Sequence, residues 1–501
     1  MSIRTGLLAG AAMLALGLGG LAQAQTPATA APPADAAPPV TPTANGGLST
    51  GQLARMDRAS DPRLSPDGRR VLYNVRSTDW AGNRGVAALW MVEADGTARR
   101  LAASDGGAAS GRWAPDGDSI YFLSTRGGSS QIWRTDRDGQ AATQVTTLPV
   151  DVTAFRLSGD GRTLIVALPV FLDCPDLNCT RDRLKAQAAP GSTVRAYDRL
   201  PLRPWDSWND GRRSHLFALD LDASGLAAAN PRDLMAGVDG DAPSRPQGDD
   251  SEFNLSPDGR TLVFQTQTQG RTEALTTNSD IWSVPVAGGT PVNLTAANSA
   301  PDSSPVFSPD GRRLAWLAGR RENVYGDQPV LMIADADGSN ARPVAADWDR
   351  GASGLRWRPD GRALHALAAE NGQQKLFEID ARTGAVRALT DQGTVSGYDA
   401  VSGRLVLSRE SFTGPSQIVD LNRDGLTPLT RHNTELLSGT ELPAGESFTF
   451  PGWNDEPVQG WAFKPAGYVE GRRYPVVYLI HGGPKSPWTN GWSYRWNPQT
   501  Y

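Results

Sequence analysis

The chain has 501 residues, 39% of them hydrophobic and 21% charged, a globular composition with room for two or three domains. Lys and Arg number 49 against 54 Asp and Glu, a net charge of −5 that argues against a nucleic-acid partner. Two cysteines exclude a cysteine-built zinc cluster and a dense disulfide scaffold, and no metal or cofactor is expected.

Residues 1–4 carry one positive charge, 6–21 are apolar, and Ala22-Gln23-Ala24 follows. This order of charged, apolar and small-residue regions is that of a secretory signal peptide, residues 1–24, cut after Ala24. The apolar run is short for a membrane span, so a periplasmic or secreted protein free of the membrane after cleavage is expected. Residues 25–47, rich in Ala, Pro and Thr without an apolar period, predict a flexible linker. Gly47-Leu48-Ser49-Thr50-Gly51 has the Gly-x-Ser-x-Gly form of a nucleophile turn, but no apolar strand precedes it, and it reads as a chance match.

From residue 48 a unit repeats: a turn of the type Ser-Pro-Asp-Gly, then four to six strand-like residues. Its glycines are Gly68, Gly117, Gly161, Gly259, Gly311, Gly361 and Gly403. Pro presets φ at the first turn position and Asp-Gly supplies the residue with φ > 0, so each copy predicts a hairpin. A second apolar hairpin follows each copy, for example at Leu89-Trp90-Met91-Val92 and Asp280-Ile281-Trp282-Ser283. Two hairpins make a four-stranded sheet, and repeats of this length predict a seven-bladed β-propeller over residues 48–435. Five of the six glycine spacings are 42 to 52 residues; the third is 98, which predicts an insertion at about 169–214 in the third blade. Cys174 and Cys179 lie in it, and in an oxidising compartment they predict a local disulfide.

The repeat stops near His432. Phe448-Thr449-Phe450 and 458–463 read as two strands, and Val476-Val477-Tyr478-Leu479-Ile480 reads as a strand buried on both faces of a parallel sheet. It runs into His481-Gly482-Gly483-Pro484. Glycines there allow a sharp turn that aims a backbone N–H outward, as in one half of an oxyanion hole.

A seven-bladed propeller followed by this strand and His-Gly-Gly-Pro resembles the prolyl oligopeptidase family of serine peptidases, nearer its acylaminoacyl-peptidase and dipeptidyl-peptidase branches. Tyr197-Asp198, Trp205-Asp206, Trp208 and Asp210-Gly211-Arg212-Arg213 resemble secreted dipeptidyl peptidases. The resemblance implies an all-β propeller followed by the first strands of an α/β-hydrolase domain at 436–501. It implies hydrolysis of short peptides, with the N–H of Gly483 binding the oxyanion and Gly482 making the turn. An exopeptidase also needs a carboxylate for the substrate's ammonium; Asp206 and Asp210 are the candidates, with Asp173 and Asp176 beside them.

The Ser, Asp and His of such a triad are expected after this point, and none of the four histidines follows a nucleophile. The sequence therefore reads as C-terminally truncated and inactive as it stands. The alternative is a non-catalytic periplasmic propeller of the TolB type that binds a protein partner. The sequence leaves the oligomeric state open.

Overall fold

The computed structural model describes residues 40–501 except 189–190, 192–193, 195–196, 198–199, 201–202, 205, 229, 325 and 484–485. Residues 1–24, expected to be a signal peptide, and residues 25–39 of the expected linker lie outside the described residues, as does Pro484.

The repeat turn works as its composition implies. Ser65 Oγ donates to Asp67 at 2.5 Å, the Gly68 N–H donates to Ser65 O at 2.7 Å, and Gly68 has φ +70°. Ser158, Ser256 and Ser308 make the same bond to Asp160, Asp258 and Asp310, each at 2.6 Å. The turn thus ties its own polar groups and hands the chain back as an antiparallel strand.

Five four-stranded antiparallel meanders span 58–100, 109–144, 154–233, 253–293 and 302–344. Residues 353–428 form an eight-stranded sheet made of two further meanders, joined only by a parallel bridge between Gln374 and Thr394. Each meander buries side chains against the next. Leu72 and Met91 of the first meet Ile120 and Phe122 of the second; Ile165 and Leu216 of the third meet Phe264 and Val284 of the fourth. The circuit closes: Tyr73 and Val75 of the first share a core with Val406 and Ile418 of the last.

The insertion runs between the strands Thr163–Val170 and Arg213–Asp220 and carries a helix, Leu177–Ala188. Asp176 caps it by accepting from the Cys179 N–H at 2.8 Å, and Cys174 is disulfide-bonded to Cys179, their Cα atoms 5.5 Å apart.

Three boundaries differ from expectation. Residues 40–47 do not extend as a linker: Gly46 N–H donates to Thr43 O, Glu441 N–H donates to Gly46 O, and a Cβ on Gly47 would come within 3.1 Å of Ala466. Residues 48–56 are not part of the first sheet, which begins at Arg58. They form the helix Thr50–Arg55, and Leu48, Leu53 and Met56 bury against Trp492, because their apolar side chains have no strand to join. The third difference is at Val476–Ile480. The hairpin of Glu446–Pro451 with Pro457–Ala462 forms, but residues 476–480 form no strand, and Val476 is 92% and Ile480 76% exposed. A strand exists only where another supplies ladder partners, and no described strand lies beside this one.

Candidate functional site

The chain enters and leaves the circuit of sheets at one seam, and the segments outside the sheets gather there. Gln52 Nε2 donates to Leu436 O and Thr440 Oγ1, both at 2.8 Å. Asp57 N–H donates to Asn433 Oδ1, and Asn433 Nδ2 returns a bond to Asp57 O, both at 2.8 Å. The last residues lie along the same face. Asn490 N–H donates to Gly372 O at 2.7 Å, Asn490 Oδ1 accepts from Phe412 N–H at 2.9 Å, and Arg58 stacks over the Tyr494 ring at 4.3 Å. Beneath them Glu410 is half-buried. Burial pushes its carboxyl up, the N–H of Trp492 pulls the other way, and the balance stands at about 7.

Gly482 and Gly483 stand free of this packing. Gly483 has φ +148°, which favours glycine. The His481 ring meets Trp488 edge-on at 4.8 Å, and the Trp488 indole N–H donates to Leu479 O at 3.2 Å. Gly482 and Gly483 are both exposed.

The carboxylates picked for an ammonium group have local partners. Asp210 accepts from Arg212 and Arg245; burial pushes its carboxyl up, the two guanidiniums outweigh that, and it rests at about 2. Asp210 is therefore not a free anion for a substrate: its charge is already matched inside the chain. Asp206 is an exposed turn residue that accepts from Ser207 Oγ at 3.1 Å. Asp173 pairs with Arg183 at 2.7 Å, and Asp176 is the helix cap. The structure does not bring these four together. It forms instead a cleft of about 740 Å³ between the third sheet and the disulfide loop, with Phe171, Leu172, Pro175, His215, Asp233 and Val238 in its wall.

Each histidine has a structural partner. His215 Nδ1 sits 3.1 Å from Asp233 and its Nε2 3.0 Å from Val238 O. His365 Nε2 lies 3.6 Å from Glu378, and burial pulls its pKa down. His432 Nε2 meets the Tyr73 hydroxyl at 3.1 Å, and His481 contacts Gly482 O. Among the described residues no serine hydroxyl hydrogen-bonds a histidine ring. Ser49, the centre of the Gly-x-Ser-x-Gly match, is a helix cap: its hydroxyl accepts from the Gln52 N–H at 3.1 Å.

Sequence reasoning missed a charged cluster along the axis that the first strands of the sheets share. Arg112 of the second sheet reaches Asp61 of the first at 2.7 Å and Asp250, ahead of the fourth, at 3.1 Å. Arg63 pairs with Asp61 at 2.6 Å, Arg156 donates to Asp250 O at 2.8 Å, and Arg356 donates to Asp399 at 3.0 Å. Burial pushes the Asp250 carboxyl up, but Arg112, Arg156 and Arg63 hold it well below the usual range. The signal was present in the repeat: each arginine stands two residues before the first turn residue, at Arg63-Leu64-Ser65, Arg112-Trp113-Ala114, Arg156-Leu157-Ser158 and Arg356-Trp357-Arg358.

Comparison with known proteins adds the following. Residues 49–168 match the PD40 family, described as the TolB beta propeller domain. The dipeptidyl-peptidase 5 of Porphyromonas endodontalis is 28% identical over 456 residues, covering 89% of this chain and 64% of that protein. Among solved structures, the Pyrococcus horikoshii acylaminoacyl peptidase aligns with a TM-score of 0.67 at 18% identity, over 90% of this chain and 64% of that one. The β-propeller domain of the trilobed protease from Pyrococcus furiosus aligns with a TM-score of 0.51 at 15% identity, over 76% of this chain and 97% of that one. At these identities the two structures speak to fold alone: a β-propeller, and the arrangement of propeller with hydrolase. The chain thus spans just under two thirds of the dipeptidyl-peptidase 5 it matches.

Proposed function

We propose that this chain is a member of the prolyl oligopeptidase family and the propeller-bearing part of an exported serine peptidase acting on short peptides, of the dipeptidyl- or acylaminoacyl-peptidase type. The observation that carries this reading is the likeness to dipeptidyl-peptidase 5 over 89% of the chain, well beyond the repeat. We read the circuit of meanders as seven blades, with the helix Thr50–Arg55 and residues 436–501 forming the start of a hydrolase domain at the seam. In that setting the propeller restricts entry to short peptides by its bulk. The N–H of Gly483, exposed like Gly482, donates to the oxyanion that forms when a serine attacks the peptide carbonyl.

Among the described residues no serine hydroxyl hydrogen-bonds a histidine ring, and on this reading the 501-residue polypeptide alone does not turn over peptides. The test compares the 501-residue product with the product of the complete reading frame of its gene on dipeptidyl and acylaminoacyl chromogenic substrates. Turnover only by the latter is expected. Turnover by the 501-residue product overturns the inactivity, and none by either overturns the peptidase assignment. Export is checked by N-terminal sequencing of the secreted form: a start at Gln25 supports it, and a retained residue 1 refutes it.

A further inference from the structure

Along the shared axis the guanidinium donors are not all filled. Arg63, Arg112, Arg156 and Arg356 face the carboxylates of Asp61, Asp250 and Asp399. A further carboxylate, Asp249, lies exposed beyond Arg156 and accepts from the Ser251 N–H at 2.8 Å. Arg112 is consumed, since it spans Asp61 and Asp250. Asp399 is divided between Arg356 and the Leu64 N–H, which donates to it at 2.8 Å.

The other arginines retain donor capacity. Arg63 Nε is buried without a hydrogen-bond acceptor, and Arg356 uses one nitrogen on Asp399 while its side chain is 37% exposed. Burial, then repulsion from Arg112 and Arg356, lowers the Arg63 guanidinium to about 10. Arg156 is pulled down by burial and by the same two neighbours, against Asp250. Guanidiniums that repel one another and keep unfilled donors are the chemistry that takes up an oxyanion, because their planar forks match carboxylate and phosphate oxygens. The partly desolvated walls strengthen that attraction.

We propose that the axis of the first strands is a binding site for an oxyanion, a peptide-borne carboxylate or a phosphate, held by Arg63, Arg156 and Arg356. The site lies on the inner strands, apart from Gly482 and Gly483, and its test does not depend on peptidase activity. Asp61 is its counterweight: it neutralises charge that would otherwise face the ligand.

The test is calorimetric titration of the 501-residue chain at low salt with two probes, inorganic phosphate and a tri-glutamate peptide. Saturable 1:1 binding of at least one is expected. Arg356→Gln should weaken it by about tenfold or more, roughly one lost charge-assisted hydrogen bond. Asp61→Asn, which raises the net charge of the cluster, should strengthen it several-fold. Arg69→Gln, in an exposed turn off the axis, should leave it unchanged. Binding of the peptide alone assigns the site to peptide carboxylates, and binding of phosphate alone assigns it to free anions. No saturable binding of either probe, or affinities that Arg356→Gln and Asp61→Asn leave unmoved, overturns the proposal. The two variants act in opposite directions, so a general loss of structure cannot imitate the expected pair of results.

Discussion

Asp57 and His432 face each other across the seam where the chain enters and leaves the circuit of sheets, Asp57 Oδ2 lying 3.7 Å from His432 Nδ1. Asp57 also accepts from Ser77 Oγ at 2.5 Å, and His432 reaches Tyr73 with its other nitrogen. The neighbouring His432 is the main reason the Asp57 carboxyl lies below its ordinary value; burial opposes it and Ser77 assists. No strand is shared between the first and last sheets, so this clasp, the Asp57–Asn433 and Leu64–Asp399 hydrogen bonds and the apolar core beside them hold the circuit shut.

Asp57→Asn should therefore destabilise the protein by about 1–3 kcal/mol at pH 7, as expected for leaving buried partners unsatisfied. A lowered carboxyl contributes stability above its unfolded value of 3.8 and loses it as pH falls through the folded one. Urea midpoints of the two proteins should thus differ at pH 7 and draw together as pH falls below 3.8. A constant gap across that range would refute the assignment.

Glu410 makes the opposite prediction. Its folded pKa, about 7, is raised above the ordinary 4.5, so its contribution is intact below 4.5 and is lost as pH rises through 7. The packing of Trp492 above it should loosen between pH 5 and 8, by at most about 3 kcal/mol. Glu410→Gln should remove that dependence. Hydrogen exchange at the Trp492 amide reads it directly, and equal pH dependence in the variant would count against the mechanism.

Arg112→Leu should cost about 3–5 kcal/mol, because it strands Asp61 and Asp250 in partly buried positions without their shared partner. Chemical denaturation measures this. A loss below about 1 kcal/mol would mean that water or neighbouring arginines replace it.

Gly311→Ala places a Cβ at φ +70°, and should destabilise by about 1–2 kcal/mol. The nearest neighbour a Cβ would meet there is Pro257 at 3.4 Å, so most of the effect is backbone strain. A shift in thermal midpoint of a few degrees is expected, and an unchanged midpoint would show that the turn relaxes.

Much of the fold was legible because the repeat is local. Ser, Pro, Asp and Gly at fixed offsets specify a turn whose hydrogen bonds close within six residues, as Ser65 to Arg70 show. The insertion was visible as one long spacing, and Cys174 and Cys179 sit close enough in sequence to meet. The segment 476–480 misled because an apolar run states that a strand would be buried, not that partners exist to bury it. Asp210 misled for a related reason: a carboxylate's availability depends on guanidiniums such as Arg245, distant in sequence, that only folding brings near.

The amino-acid sequence by itself determined the hairpins, their number in each repeat and the family resemblance, since these rest on short-range turn chemistry and alternation along a strand. Only the tertiary structure decided that residues 48–56 pack with Trp492 rather than with the first sheet, and that four arginines converge on one axis. Those outcomes depend on contacts between residues far apart in the chain, whose free energy arises only once the circuit of sheets has closed.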